Sequence, residues 1–214
     1  MLKKNIQSAL LALSLVTLPF SAFATPVKLG FEGVVGDSDS STPITPYTES
    51  GFTLTNLKPT PINDGIFGKT SGVNTNGSAV FGFCAYDNTC DRGTAIRLTG
   101  AAPFSLNSIE IASLFPNFTP QAANTSLQLI GTLFGGGTIT TTLSYSTTWA
   151  AYSVSGFSNL QSLELRGIND YAVGIDNLIL NADAGNRLPE PGSLALSALA
   201  LTALGLRRRA SVQR

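Results

Sequence analysis

From about residue 27 to residue 180 the chain alternates apolar and polar positions in runs of five to eleven residues, each ended by Gly, Pro, Asn or Ser. A period of two puts the apolar side chains on one face of an extended strand, and Val, Ile, Thr and Phe suit such half-buried faces. The pattern predicts ten strands: Val27 to Phe31, Gly51 to Leu57, Ala79 to Phe83, Thr94 to Thr99, Ser105 to Phe115, Thr125 to Phe134, Thr138 to Ser144, Ala151 to Gly156, Gln161 to Gly167 and Ala172 to Leu180. No run carries the helical spacing over a normal helix length. Many short strands without helices predict an all-β domain, an antiparallel β-sandwich or jelly roll.

Turn chemistry sharpens two places. In "TLFGGGTIT", Gly135, Gly136 and Gly137 supply the positive φ angles of a hairpin between two strands. They do not form a phosphate loop, because no GK[ST] and no helix follow. The stretches Gly36 to Ser50 and Lys58 to Ser78 are rich in Pro, Gly, Asn and Ser and read as long surface loops, where binding residues tend to sit on sandwich scaffolds.

The two ends break the pattern. Lys3 and Lys4, the apolar run Ala9 to Leu18 and the small-x-small Ala22-Phe23-Ala24 describe a secretory signal peptide over 1–24. The strand-rich body then covers 25–182, a polar linker 183–188, and a terminal segment 189–214. Within that segment Gly192 to Leu206 is uncharged, but as a helix it spans only about 22 Å of a hydrocarbon core about 30 Å thick.

Charge changes the picture once these ends are set aside. The whole chain balances 13 Lys and Arg against 13 Asp and Glu, yet between Thr25 and Arg187 there are 7 basic and 12 acidic residues, a formal charge of −5. A mildly acidic body without a basic stripe argues against nucleic acid as a partner. The absence of histidine removes Ser-His-Asp triads, Cys-His dyads and His-ligated metal sites. Carboxylate-pair glycosidase chemistry passes this filter. Cys84 and Cys90, in an exported chain, are expected to close a small disulfide loop; free thiols are the alternative.

Few side chains stand out as candidate chemistry. Glu32 and Asp176 fall in the first and last predicted strands, which often pair in jelly rolls, so the two carboxylates with Asn177 are a candidate structural Ca2+ site; unrelated strand-edge carboxylates are the plain alternative. "DSDSS" at Asp37 to Ser41 begins like a calcium loop but has Thr42 and Thr48 where Gly and Glu are needed. Trp149 is the candidate for stacking on a sugar ring, although Tyr152, three residues on, faces the other side of a regular strand, so one of the two is core. Glu110 and Glu164 are the best available catalytic pair, but both fall on the polar face of predicted strands, where ordinary solvated carboxylates explain them well. Asn76, Asn117 and Asn124 open N-x-[ST] sequons that are read as coincidental.

The order Pro189-Glu190-Pro191, short hydrophobic helix, Arg207-Arg208-Arg209 closely resembles the PEP-CTERM sorting signal of exported Gram-negative proteins. Positive-inside bias would hold the arginines in the cytoplasm and place the Pro-Glu-Pro motif at the outer face of the inner membrane. The resemblance implies an exosortase as partner, transient residence in the inner membrane, cleavage near the motif, and release towards the cell surface or an exopolysaccharide matrix. The body, through "FEG", "GFTLT", "FSLNSIEI" and "IDNL", resembles carbohydrate-binding-module-like sandwiches found upstream of such tails. That likeness implies a calcium ion between the first and last strands. The expectation is a non-enzymatic surface or matrix protein associated with exopolysaccharide; the alternatives are a secreted carbohydrate-active enzyme using Glu110 and Glu164, and a membrane-tethered ligand-binding domain.

Overall fold

The alternating runs do become strands. A computed structural model describes residues 26–35, 44–58, 64–69, 72–86, 94–117 and 125–182. The signal segment, the linker, the terminal motif with its arginines, Asp37 to Ser41 and Cys90 lie outside the described residues. The strands are β1 (Pro26–Leu29), β2 (Tyr47–Glu49), β3 (Phe52–Asn56), β4 (Asp64–Phe67), β5 (Val80–Cys84), β6 (Ile96–Ser113), β7 (Ser126–Leu133), β8 (Thr138–Ser144), β9 (Ala150–Ser153), β10 (Leu160–Ile168) and β11 (Ala172–Ala182), with one helical turn, α1 (Glu32–Val35). All their pairings are antiparallel, so the fold is all-β and antiparallel.

One long strand organises the rest. The two strands expected over Thr94 to Thr99 and Ser105 to Phe115 are a single strand, β6, running through Gly100 and Pro103. Its first half pairs with β3 and β10, and β10 leads on to β7 and β8. Its second half pairs with β11 and β9, while β11 carries β5 and then β4 on its other side. Thus β2-β3-β6-β10-β7-β8 forms one surface and β9-β6-β11-β5-β4 another, joined through β6. Gly100 lets the strand pass under an aromatic pair: a Cβ there would sit 2.9 Å from the Phe52 ring, which packs edge-on against Phe104 at 5.3 Å.

The inward positions of both surfaces form one core. Leu54, Leu98, Leu129, Leu163 and Leu165 come from the first surface, and Phe81, Ile109, Ile111, Val173 and Ile175 from the second; all are fully buried. Fully burying one such side chain contributes about 1.5–3 kcal/mol, so the alternation along β10 and β11 is the sequence feature that fixes which face turns inward. In β11 the alternation slips once. Asn177 takes a left-handed φ of 49° at a register shift after Asp176, so Ile175 and Leu178, three apart, both reach the core.

The expected β7–β8 hairpin is present, with Leu133 N–H donating to the Gly137 carbonyl at 3.0 Å, but only Gly136 and Gly137, at φ of 93° and 87°, take the positive φ expected of all three glycines. The expected pairing of first and last strands is present too, with Leu29 opposite Leu178. Three further expectations need correction. Glu32 is not in a strand: Phe31, at φ 61°, turns the chain out of β1, and Glu49 holds that corner by accepting from Gly30 N–H at 3.3 Å and Phe31 N–H at 3.1 Å. Glu49 also accepts from the Tyr47 hydroxyl at 3.0 Å; burial, then the Glu49 charge, then this bond push that hydroxyl well above its ordinary range. The other two corrections are β2 and β4, which lie inside the segments read as loops; three or four residues are too few to show a period.

Candidate functional site

The two outer faces of the sandwich differ. On the β9-β6-β11-β5-β4 side, small residues make a floor and large ones cover it. A Cβ at Gly82 would meet Leu114 at 2.4 Å and the Phe67 ring at 2.7 Å; one at Gly174 would meet the Trp149 ring at 2.9 Å. Trp149 Nε1–H donates to the Asn74 carbonyl at 3.2 Å, and Phe67, Phe115 and Tyr171 pack in edge-on pairs beside it. Trp149 is therefore a lid over its own sheet, while Tyr152 packs against the main core.

Beside that lid lies a polar cluster. Asp176 is fully buried and stands opposite Glu110 in the β11–β6 register. The Asn76 side-chain amide donates to Asp176 Oδ2 and to Glu110 Oε2, both at 2.7 Å, and the Ser78 hydroxyl donates to Asp176 Oδ2 at 2.8 Å. Asp176 Oδ1 accepts from Asn177 N–H at 2.6 Å. Burial raises the Asp176 carboxyl above its ordinary value, the Glu110 charge adds to the rise, and the three donors oppose it.

Of the candidate calcium ligands, Asp176 is thus joined to Asn76, Ser78 and Glu110. Glu32 is exposed on α1, and the Asn177 side-chain oxygen lies beside Gly30. Among the described residues no three Asp, Glu, His or Cys side chains converge as a metal set. A calcium ion needs six to eight oxygens, and here an amide N–H donor occupies the space between the two carboxylates. As placed, the group does not fit the ion. Asn76 and Ser78 stand out in the sequence only as a sequon; their role in this cluster is not legible there, because their partners lie 34 and 98 residues away in the chain.

Glu164 belongs to the other side of the molecule. It pairs with Arg166 at 2.6 Å and Arg97 at 3.6 Å, opposite the first half of β6, whereas Glu110 sits on the second half, thirteen positions beyond Arg97. The two glutamates share no partner, and the geometry does not assemble the carboxylate pair that glycoside hydrolysis needs about 5–10 Å apart.

The outer face around Glu164 is open and ordered by register. Thr48, Thr53, Thr99, Ser162, Thr132 and Thr138 stand opposite one another across β2, β3, β6, β10, β7 and β8. All six are exposed or half-exposed, and the Thr48 and Thr53 hydroxyls lie 3.0 Å apart. The next row is Thr55, Arg97, Glu164, Ile130 and Thr140, and a third holds Arg166, Gln128 and Thr142. Six strands at about 4.8 Å spacing make this strip about 24 Å wide. Two large aromatic side chains are exposed among the described residues: Tyr86, 39 % exposed and stacked by Arg166 of this face, and Phe134, 55 % exposed, at the β7–β8 turn. The Arg166 guanidinium carbon lies 4.6 Å and the Lys58 ammonium 5.4 Å from the Tyr86 ring centre. The expectation for Trp149 depended on its being exposed on a sandwich face, and exposure is a property of the packed sheet: Trp149 is half-buried over Gly174 while Tyr86 is exposed.

Two further buried carboxylates are tied into the frame. Asp64 accepts from Ile44 and Thr45 N–H at 3.1 and 3.2 Å and from the Asn56 amide at 2.5 Å. Asp170 accepts from Ser113 and Tyr145 hydroxyls at 2.9 and 2.8 Å. Cys84 is buried at the end of β5.

No family model matches the chain, and no curated protein matches it. Among solved structures it is similar to a cleaved adhesin domain of the Lys-gingipain of Porphyromonas gingivalis, at 10% identity over 75% of this chain and 99% of that one, with a TM-score of 0.49. It is also similar to a carbohydrate-binding module of family 29, at 10% identity over 73% and 87%, TM-score 0.39, and to TmCBM61 in complex with β-1,4-galactotriose, at 10% over 63% and 90%, TM-score 0.38. No site residue is carried over from any of them.

Proposed function

We propose that the chain is an exported, non-catalytic polysaccharide-associated protein whose β-sandwich holds glycan on the outer face of the β2-β3-β6-β10-β7-β8 surface. The observation that carries this reading is the register of exposed and half-exposed hydroxyls across six strands, with the exposed Tyr86 stacked beside them on Arg166. Sugar chains present hydroxyls to be hydrogen-bonded and apolar ring faces to be stacked. The separate fates of Glu110 and Glu164 support binding over turnover. Tripartite order at the C-terminus supports delivery by an exosortase through the inner membrane to the cell surface or matrix, after removal of the signal peptide, with Cys84 and Cys90 oxidised on the way. Calcium is not required by this reading.

Intact mass of the protein recovered separately from membrane, medium and matrix fractions tests the delivery half. A form beginning near Thr25 and ending near Pro189 to Pro191, lost when those three residues are changed to alanine, is expected. A membrane-bound form retaining Arg214 would replace sorting with permanent anchoring. For the binding half, retardation of the exported protein in gels containing polysaccharide is expected to weaken on Tyr86→Ala and to be unchanged by Glu110→Gln; loss of polysaccharide on incubation would turn the reading back towards an enzyme.

A further inference from the structure

Charge is distributed unevenly over this acidic body. Five Lys and Arg are described between 26 and 182, namely Lys28, Lys58, Lys69, Arg97 and Arg166, and three of them gather around Tyr86 and Glu164. Glu164 is the one described carboxylate shown among them, with its side chain only 14% exposed, while Arg97 and Arg166 remain 47% and 29% exposed. Each arginine meets Glu164 through a single nitrogen, Nη2 of Arg97 and Nε of Arg166. A guanidinium has five N–H donors in a fixed fork, so one contact with Glu164 leaves most donors of each arginine unused by that carboxylate while both side chains keep solvent exposure. Stacking of Arg166 on Tyr86 fixes the second plane.

From this we infer that the hydroxyl-lined face recognises an acidic polysaccharide, one whose sugar units carry carboxylates, with Arg97 and Arg166 as the carboxylate-binding residues and the threonine rows meeting the sugar hydroxyls. The inference rests on the polysaccharide reading above and adds the ligand's charge. Planar carboxylates match the guanidinium fork, and a polymer with one carboxylate per unit can span from Arg97 and Arg166 along the adjoining rows of Thr and Gln128. The remainder of the acidic body repels such a polymer, which confines binding to this patch and makes it fall with salt.

The test compares polygalacturonate with the same polymer after its carboxylates are reduced to alcohols, using the exported protein at low and high ionic strength. Binding to polygalacturonate alone, weakened by salt, is expected, with Arg97→Ala and Arg166→Ala each lowering affinity about tenfold or more and Arg166→Lys lowering it less. Because the two polymers and the two salt conditions use the unaltered protein, the comparison stands even where a variant fails to fold. Equal binding to both polymers, indifferent to salt and to the arginines, overturns the acidic ligand while leaving the polysaccharide reading intact. Binding to neither overturns both.

Discussion

The two outer faces of this sandwich are built from the same alternating strands and end in opposite states. On the β11 side, Gly82 and Gly174 are roofed by Phe67, Leu114 and Trp149, and Asp176 finds all its partners within the chain. On the β10 side, the outward residues are Thr, Ser, Arg and Gln that stay wet. The difference teaches that the most chemically conspicuous residues, the buried Asp176 with its half-buried neighbour Glu110 and the lone tryptophan, are spent on sealing one face. The face with fewer conspicuous residues is the one left open to solvent.

Removing the seal at its polar end gives the largest expected effect. Asn76→Ala takes the shared donor from Asp176 and Glu110 at once, leaving the buried Asp176 carboxylate facing the half-buried Glu110. An unfolding free energy lower by about 3 kcal/mol is expected, read from urea midpoints at pH 7. An effect near zero would mean that the cluster is hydrated and that the two faces are less different than argued. Next comes the apolar end: Gly82→Val drives methyl groups into Leu114 and Phe67, at an expected cost of about 2 kcal/mol, detectable as a lowered Tm with glycan binding at room temperature unchanged.

Acidity probes the same face more gently. The Asp176 carboxyl is raised in the fold, so its contribution is fully present below the ordinary carboxylate pKa and is lost as pH rises through the folded value. Asp176→Asn abolishes that titration while keeping an acceptor for Asn76. Relative to this variant, the unaltered protein is expected to lose stability steadily as pH is raised from about 3.9 towards neutrality. A difference between the two that does not move with pH would refute burial as the dominant cause. Added calcium or a chelator is expected to leave both curves in place, since Asn76 holds a donor between the carboxylates.

How far the sequence reveals these faces depends on the range of the forces involved. Period-two alternation is local, so β3, β7, β8, β10 and the start and direction of β11 are legible from it, as is the glycine turn at 135–137. The slip at Asp176 and Asn177 is also written locally, in the spacing of Ile175 and Leu178, although it reads as a plain strand until the register is known. Glu32 was misplaced because a side chain from β2, Glu49, holds the corner that ends β1. The hydroxyl rows were illegible for a related reason: Thr53, Thr99, Ser162 and Thr132 are scattered between positions 53 and 162 and become neighbours only through three strand registers.

The smallest effect on stability is expected on the open face, and it separates the faces best. Glu164→Gln removes a partner shared by Arg97 and Arg166, yet ion pairs that retain solvent contact contribute about 0–1 kcal/mol. Unfolding should shift by less than that, far below Asn76→Ala. Binding should respond differently, because Glu164 both orients the arginines and offsets their charge. With glutamine in its place the patch is more positive and less ordered, so association with polygalacturonate should quicken at low salt while dissociation quickens as well. Stopped-flow rates at two salt concentrations distinguish these effects. A Glu164→Gln variant as destabilised as Asn76→Ala would make Glu164 a strut like Asp176, and the contrast between a sealed face and a working one would fail.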